Sequence, residues 1–108
     1  MPEEPRALLT PGRVRALLDR HGLRPSKALG QHYLADPNTA RKVARLGGAG
    51  PGETVLEVGP GLGSLTLALR QAGAAVVAVE ADARLLPALA EVLGDDPLVR
   101  VEVADAVR

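Results

Sequence analysis

The 108-residue chain contains no cysteine, no tryptophan and no phenylalanine, and Tyr33 is its only aromatic residue. Without cysteine there is no disulfide and no thiolate metal site, a composition that fits the cytoplasm. No apolar run approaches the ~20 residues needed to cross a bilayer, so no membrane span is expected. The opening MPEEPRALL carries acids early and has no long apolar segment, so it does not read as a secretory signal. No Ser/His/Asp set and no P-loop lysine is present, which leaves hydrolysis and phosphoryl transfer without support. His32 belongs to no recognisable metal-ligand set, and no metal is expected. Tyr33 reads as packed rather than stacked on a base.

What remains is ordinary in bulk and uneven in detail. Hydrophobic content is 46% and charged content 24%, as in soluble globular chains. The formal net charge is zero, yet residues 1–50 hold nine Arg/Lys against four Asp/Glu. Residues 51–108 reverse this, with four against nine. A basic half joined to an acidic half points to an anionic partner for the first half, with nucleic acid the leading candidate. Arg13, Arg20, Arg24, Lys27, Arg41 and Arg45 are the expected phosphate contacts.

Thr10-Pro11 is a helix start, a capping side chain followed by proline at the first helical position. Val14, Leu17, Leu18 and His21 form its apolar stripe, Arg13 and Arg20 share another face, and Gly22 ends it. Asp36-Pro37 opens a second helix, with Ala40, Val43, Ala44 and Leu46 expected inward. Arg41 and Arg45 lie four apart on it, a like-charge pair that costs a few tenths of a kcal/mol.

The centre of the chain is Val55 to Thr66, VLEVGPGLGSLT. Val55, Leu56 and Val58 read as a buried parallel strand holding one carboxylate, Glu57. Such an acid must be paired, hydrogen-bonded or near a ligand. Glycines at 59, 61 and 63 then lead into a helix that runs to about Gln71. Backbone N–H groups left free at that helix start, together with its dipole, favour an electron-rich ligand lying on Gly59 and Gly61. A second strand covers Val76 to Val79, Asp82 caps a third helical stretch disturbed by Pro87, and Val99 to Val103 form a third strand.

This β-α-β-α-β order requires right-handed crossovers and a parallel sheet. In a doubly wound fold the first strand is central, so the chain reads as the N-terminal piece of a longer domain. Glu80 ends the second strand 21 residues after Gly59, where an acid accepts from both ribose hydroxyls of a nucleotide. Asp105 follows the third strand on the same rim and could accept from an adenine amino group. The dinucleotide fingerprint G-x-G-x-x-G needs glycine or alanine at position 64, where the chain has Ser64.

E-V-G-P-G-L-G-S-L-T resembles motif I of class I S-adenosylmethionine-dependent methyltransferases. L-G-Q-H-Y-L-A-D, Leu29 to Asp36, resembles the G-Q-N-F-L-x-D segment of the ribosomal RNA small-subunit adenine N6-dimethyltransferases. V-A-V-E-A-D and V-E-V-A-D-A continue the match, which covers Leu23 to Arg108. The resemblance implies an α/β, Rossmann-like methyltransferase fold, N-terminal half only, with three parallel strands and flanking helices. Residues 1–35 would be a basic helix and motif segment, and 36–108 the donor-binding half-domain, truncated after the third strand.

The resemblance further implies S-adenosylmethionine as cofactor and dimethylation of N6 on two adjacent adenines of 16S rRNA, by a cytoplasmic monomer at full length. His32 and Leu34 would touch the donor, Gly59 and Gly61 its methionine portion, Glu80 the ribose and Asp105 the adenine, flanked by Ala81 and Ala106. His32-Tyr33 and Leu29 stand where the family has Asn-Phe and Phe. The family's N-L-P-Y segment lies beyond Arg108, so no catalytic residue is assigned and the chain alone is expected to be inactive. Alternatives are a large-subunit rRNA adenine methyltransferase, a transcription-factor relative, a non-catalytic RNA-binding fragment and an NAD-binding oxidoreductase module.

Overall fold

A computed structural model describes residues 7–23 and 36–104. In chain order it contains α1 (Pro11–Arg20), α2 (Pro37–Leu46), β1 (Thr54–Val58), α3 (Ser64–Gln71), β2 (Ala75–Glu80), a 3₁₀ turn (Ala83–Leu85), α4 (Leu86–Leu93) and β3 (Val99–Val103). The strands form one sheet in the order β1-β2-β3, with both pairings parallel. The β-α-β-α-β reading therefore holds element by element.

Local chemistry accounts for the boundaries. The Thr10 hydroxyl accepts from the Arg13 N–H at 3.2 Å, and the Asp36 carboxylate accepts from the Asn38 N–H at 2.9 Å. Each cap precedes a proline in the first helical turn, where the missing N–H costs nothing. Pro87 is accommodated in the same way. Asp82 caps the short 3₁₀ turn through the Arg84 N–H, and α4 starts only at Leu86, so the proline falls in its first turn.

Helices cover one face of the sheet. Val55, Val76, Ala78 and Val101 point toward α2 and α3, whose contact surface is made of Ala40, Ala44, Ala68 and Leu69. A second cluster joins α1 to α4 through Val14, Leu17, Leu18, Leu89, Val92 and Leu93, closed by Leu62 and Leu67. Burying a leucine such as Leu17 is worth about 2–3 kcal/mol over leaving it in water. The expected burial of β1 holds on one face only: Leu56 and Val58 lie on the face the helices leave uncovered and are 66% and 62% exposed.

The inward stripe expected on α2 is half right. Ala40 and Ala44 are buried, but Val43 is 41% exposed and Leu46 76%. Small residues on both α2 and α3 let the helices approach closely along the alanine row. That contact rotates the bulkier side chains out of it.

His21 is not part of an apolar stripe. It caps the end of α1, and its Nε2 donates to the Glu91 carboxylate of α4 at 2.9 Å. Arg13 reaches the same carboxylate at 3.1 Å, and Arg20 joins it. The His21 hydrogen bond, with the Arg20 and Arg13 charges, holds the Glu91 carboxyl below its ordinary range despite partial desolvation. Two of the expected RNA-contacting arginines are thus engaged within the fold.

Candidate functional site

The site lies where β1 and β2 end. β1–β2 pairing continues past Val58, since the Gly59 N–H donates to the Val79 carbonyl at 2.8 Å. At Gly59 the backbone turns with φ +71°, a conformation side-chain-bearing residues rarely adopt. Among the described residues a Cβ built there would meet nothing within 4 Å, so none of them fills the space over this turn.

Gly63 is glycine for a different reason. It caps α3 with φ +93°, and a Cβ there would lie 3.0 Å from Leu89 Cδ1 and 3.4 Å from both Leu93 and Val92. One glycine of the motif faces open space, and another lets α3 sit against α4.

Glu80, the last residue of β2, is 6% exposed and reaches back across the turn. Its Oε1 accepts from the Gly61 N–H at 3.2 Å, and its Oε2 from the Asp82 N–H at 3.0 Å. Each carboxylate oxygen has a second lone pair, so the group can still accept from a ligand while holding the loop. The expected helix-capping duty falls to Asp82, which leaves Glu80 at the site.

Glu57 is 7% exposed and takes a hydrogen bond from the Thr66 hydroxyl of α3 at 2.6 Å. Burial raises its carboxyl above the ordinary value; the Thr66 bond opposes this and the Glu80 charge adds to it. Neither Glu57 nor Glu80 forms an ion pair among the described residues. The site holds two buried acids and, among those residues, no cation set against them.

Of the expected site residues, Gly59, Gly61 and Glu80 meet at this turn. Asp105, His32 and Leu34 lie outside the described residues, as do Arg24, Lys27 and Ala106. Ala104, the last residue described, donates its N–H to the Glu80 carbonyl at 3.1 Å, so β3 ends beside the Glu80 tip. Arg41 donates to the Asn38 side chain at 3.3 Å, while the Arg45 side chain forms no hydrogen bond or ion pair with any described residue. Sequence reasoning missed Thr66. A hydroxyl set between Leu65 and Leu67 in the helix that follows an acid-bearing apolar strand is the signal that could have found it, and the structure shows Thr66 0% exposed.

A parallel sheet, a glycine turn entering a helix and an acid at the tip of the second strand define the N-terminal half of a Rossmann-like methyltransferase fold. Comparison with known families narrows this. The ribosomal RNA adenine dimethylase profile matches residues 22–107, and the chain belongs to that family. A ribosomal RNA small subunit methyltransferase A of Deinococcus radiodurans is 58% identical over 86 residues, which is 80% of this chain and 30% of that protein. Proteins of the same name from Moorella thermoacetica and Nocardia farcinica are 45% and 56% identical, covering 94% and 79% of this chain. Those alignments take in 35% and 28% of the relatives. The chain spans about a third of the length of the relatives it matches.

Proposed function

We propose that this chain is the donor-binding half of an rRNA adenine N6-dimethyltransferase, with S-adenosylmethionine as cofactor and adjacent adenines of 16S rRNA as target. The observation that carries the reading is the pair of buried carboxylates, Glu57 and Glu80, beside an open glycine turn with no cation among the described residues to balance them. Such a pocket favours a ligand of positive charge and opposes the doubly anionic pyrophosphate of a dinucleotide. Glu80 would accept from the ribose hydroxyls, and Gly59 would let the methionine portion lie on the backbone. His32, Leu34 and Asp105 complete the proposed contacts. When bound, the donor supplies an electrophilic methyl group on a sulfonium, and the protein's part is to position it and exclude water.

Calorimetry on the chain tests this reading. S-adenosylmethionine is expected to bind and NAD is not; NAD binding without S-adenosylmethionine binding would favour the oxidoreductase alternative. In the same reading the full-length protein acts as a cytoplasmic monomer on the small ribosomal subunit.

For RNA, the fold separates the basic residues. Arg13 and Arg20 are already drawn to Glu91, whereas Arg41 and Arg45 project from the exposed side of α2 with no acidic partner among the described residues. Neutralising Arg41 or Arg45 is expected to reduce the salt slope of RNA binding by about 0.7–0.9 each. Neutralising Arg13 or Arg20 should change it less. Equal effects from both helices, or none from α2, would reject this division.

A further inference from the structure

Glu57 makes none of the contacts assigned to the donor above, and its surroundings give it a role of its own. Thr66 is the only hydrogen-bond partner of its carboxyl among the described residues, and Ala78 lies beside it across the sheet. Val43, Leu65 and Leu69 line the groove next to it. Of the charged groups on the elements packed around it, β2 contributes Glu80, of the same sign. α3 contributes Arg70, which is committed to Asp96 at 2.7 Å and to the Ala74 carbonyl at 3.0 Å. α2 contributes Arg41, Lys42 and Arg45, all on its exposed side.

Two buried negative charges with no counter-ion among the described residues are costly, and the simplest relief is for one carboxyl to keep its proton. Glu57 is the group so placed. Its partner is a hydroxyl, which can donate to a carboxylate or accept from a carboxylic acid and so serves either state. Glu80 instead faces two backbone N–H donors, which require it to accept. A cation entering the turn changes the balance, because it supplies the missing opposite charge.

We propose that Glu57 reads the charge of the bound cofactor: a cationic methyl donor drives the Glu57 proton to solvent, and the product, its sulfur uncharged, lets the proton return. This rests on the donor-binding reading. S-adenosylmethionine carries a sulfonium and an ammonium against one carboxylate, and S-adenosylhomocysteine lacks the sulfonium charge. Donor affinity should then rise with pH until Glu57 is ionised in the free protein, while product affinity should change little. A pocket of this kind holds the donor more tightly than the spent product as pH increases.

Calorimetric titration of the chain in phosphate and in Tris, buffers of very different ionisation heat, counts the protons exchanged. The expected result is release of up to about one proton per S-adenosylmethionine and less than half as much with S-adenosylhomocysteine. Glu57→Gln, which keeps an acceptor for Thr66, should abolish the difference. Burial raises the Glu57 carboxyl in the folded state, so its favourable contribution is present in acid and is lost as pH rises through that raised value. Thermal unfolding of Glu57→Gln should therefore gain on the wild type as pH increases. Equal proton counts for the two ligands, or an unchanged count in Glu57→Gln, overturn the proposal while leaving donor binding intact. Absence of any S-adenosylmethionine binding overturns the donor reading and this inference with it.

Discussion

Glu80→Ala is expected to weaken S-adenosylmethionine binding by about 10- to 100-fold, the 1.5–3 kcal/mol typical of hydrogen bonds to a charged group. The structure adds a second consequence. Glu80 also accepts from the Gly61 and Asp82 N–H groups, so truncation leaves two backbone donors unpaired at the turn. An unsatisfied buried donor costs about 1–3 kcal/mol, so the variant should also unfold at lower temperature without ligand. Calorimetry and thermal unfolding on the same sample separate the two losses. Unchanged donor affinity would remove Glu80 from the site, and an unchanged unfolding temperature would remove it as a brace.

The second large effect is expected at Gly63. Gly63→Ala places a methyl group 3.0 Å from Leu89 Cδ1, in a cluster where Leu89, Leu93 and Val92 are all buried. Backbone strain at φ +93° accounts for about 1–2 kcal/mol, and overpacking adds about 1–3 kcal/mol. The sum is a large share of the ~5–15 kcal/mol that holds a domain together. Gly52→Ala is the matched control, since it shares a positive φ of +84° but a Cβ there meets no described residue within 4 Å. Denaturant unfolding should place Gly63→Ala at least ~1 kcal/mol below Gly52→Ala, the difference being the clash. Equal losses would mean that α4 yields and that the α3–α4 contact is looser than the structure indicates.

Much of this was legible in the sequence because it rests on local chemistry. The caps at Thr10, Asp36 and Asp82, the alternation of strand residues and the glycine turn all announce themselves within a few positions. The pairing of Glu80 with the turn was readable as a position, the tip of a second parallel strand, but its double duty was not. The Gly61 N–H is 19 residues away, and only the folded turn brings it within reach.

The Glu91 cluster shows the limit more clearly. Arg13, Arg20 and His21 lie 78, 71 and 70 residues from Glu91, and nothing in local spacing joins them. Charge counting therefore assigned two arginines to a polyanion that the fold directs to an internal acid. On α2 the limit has another origin, since hydrophobicity ranks Leu46 above Ala40. The packing of alanine rows against α3 decides otherwise. Glu57 stood out as an acid in an apolar strand, and the hydroxyl that meets it comes from a helix nine residues on.

The most direct test is the crystal structure of the chain grown with S-adenosylmethionine. The expected result is a ligand lying over Gly59, with its ribose hydroxyls within hydrogen-bonding distance of the Glu80 carboxylate. A donor bound away from the glycine turn, or one whose sugar makes no contact with Glu80, would contradict the account at its centre.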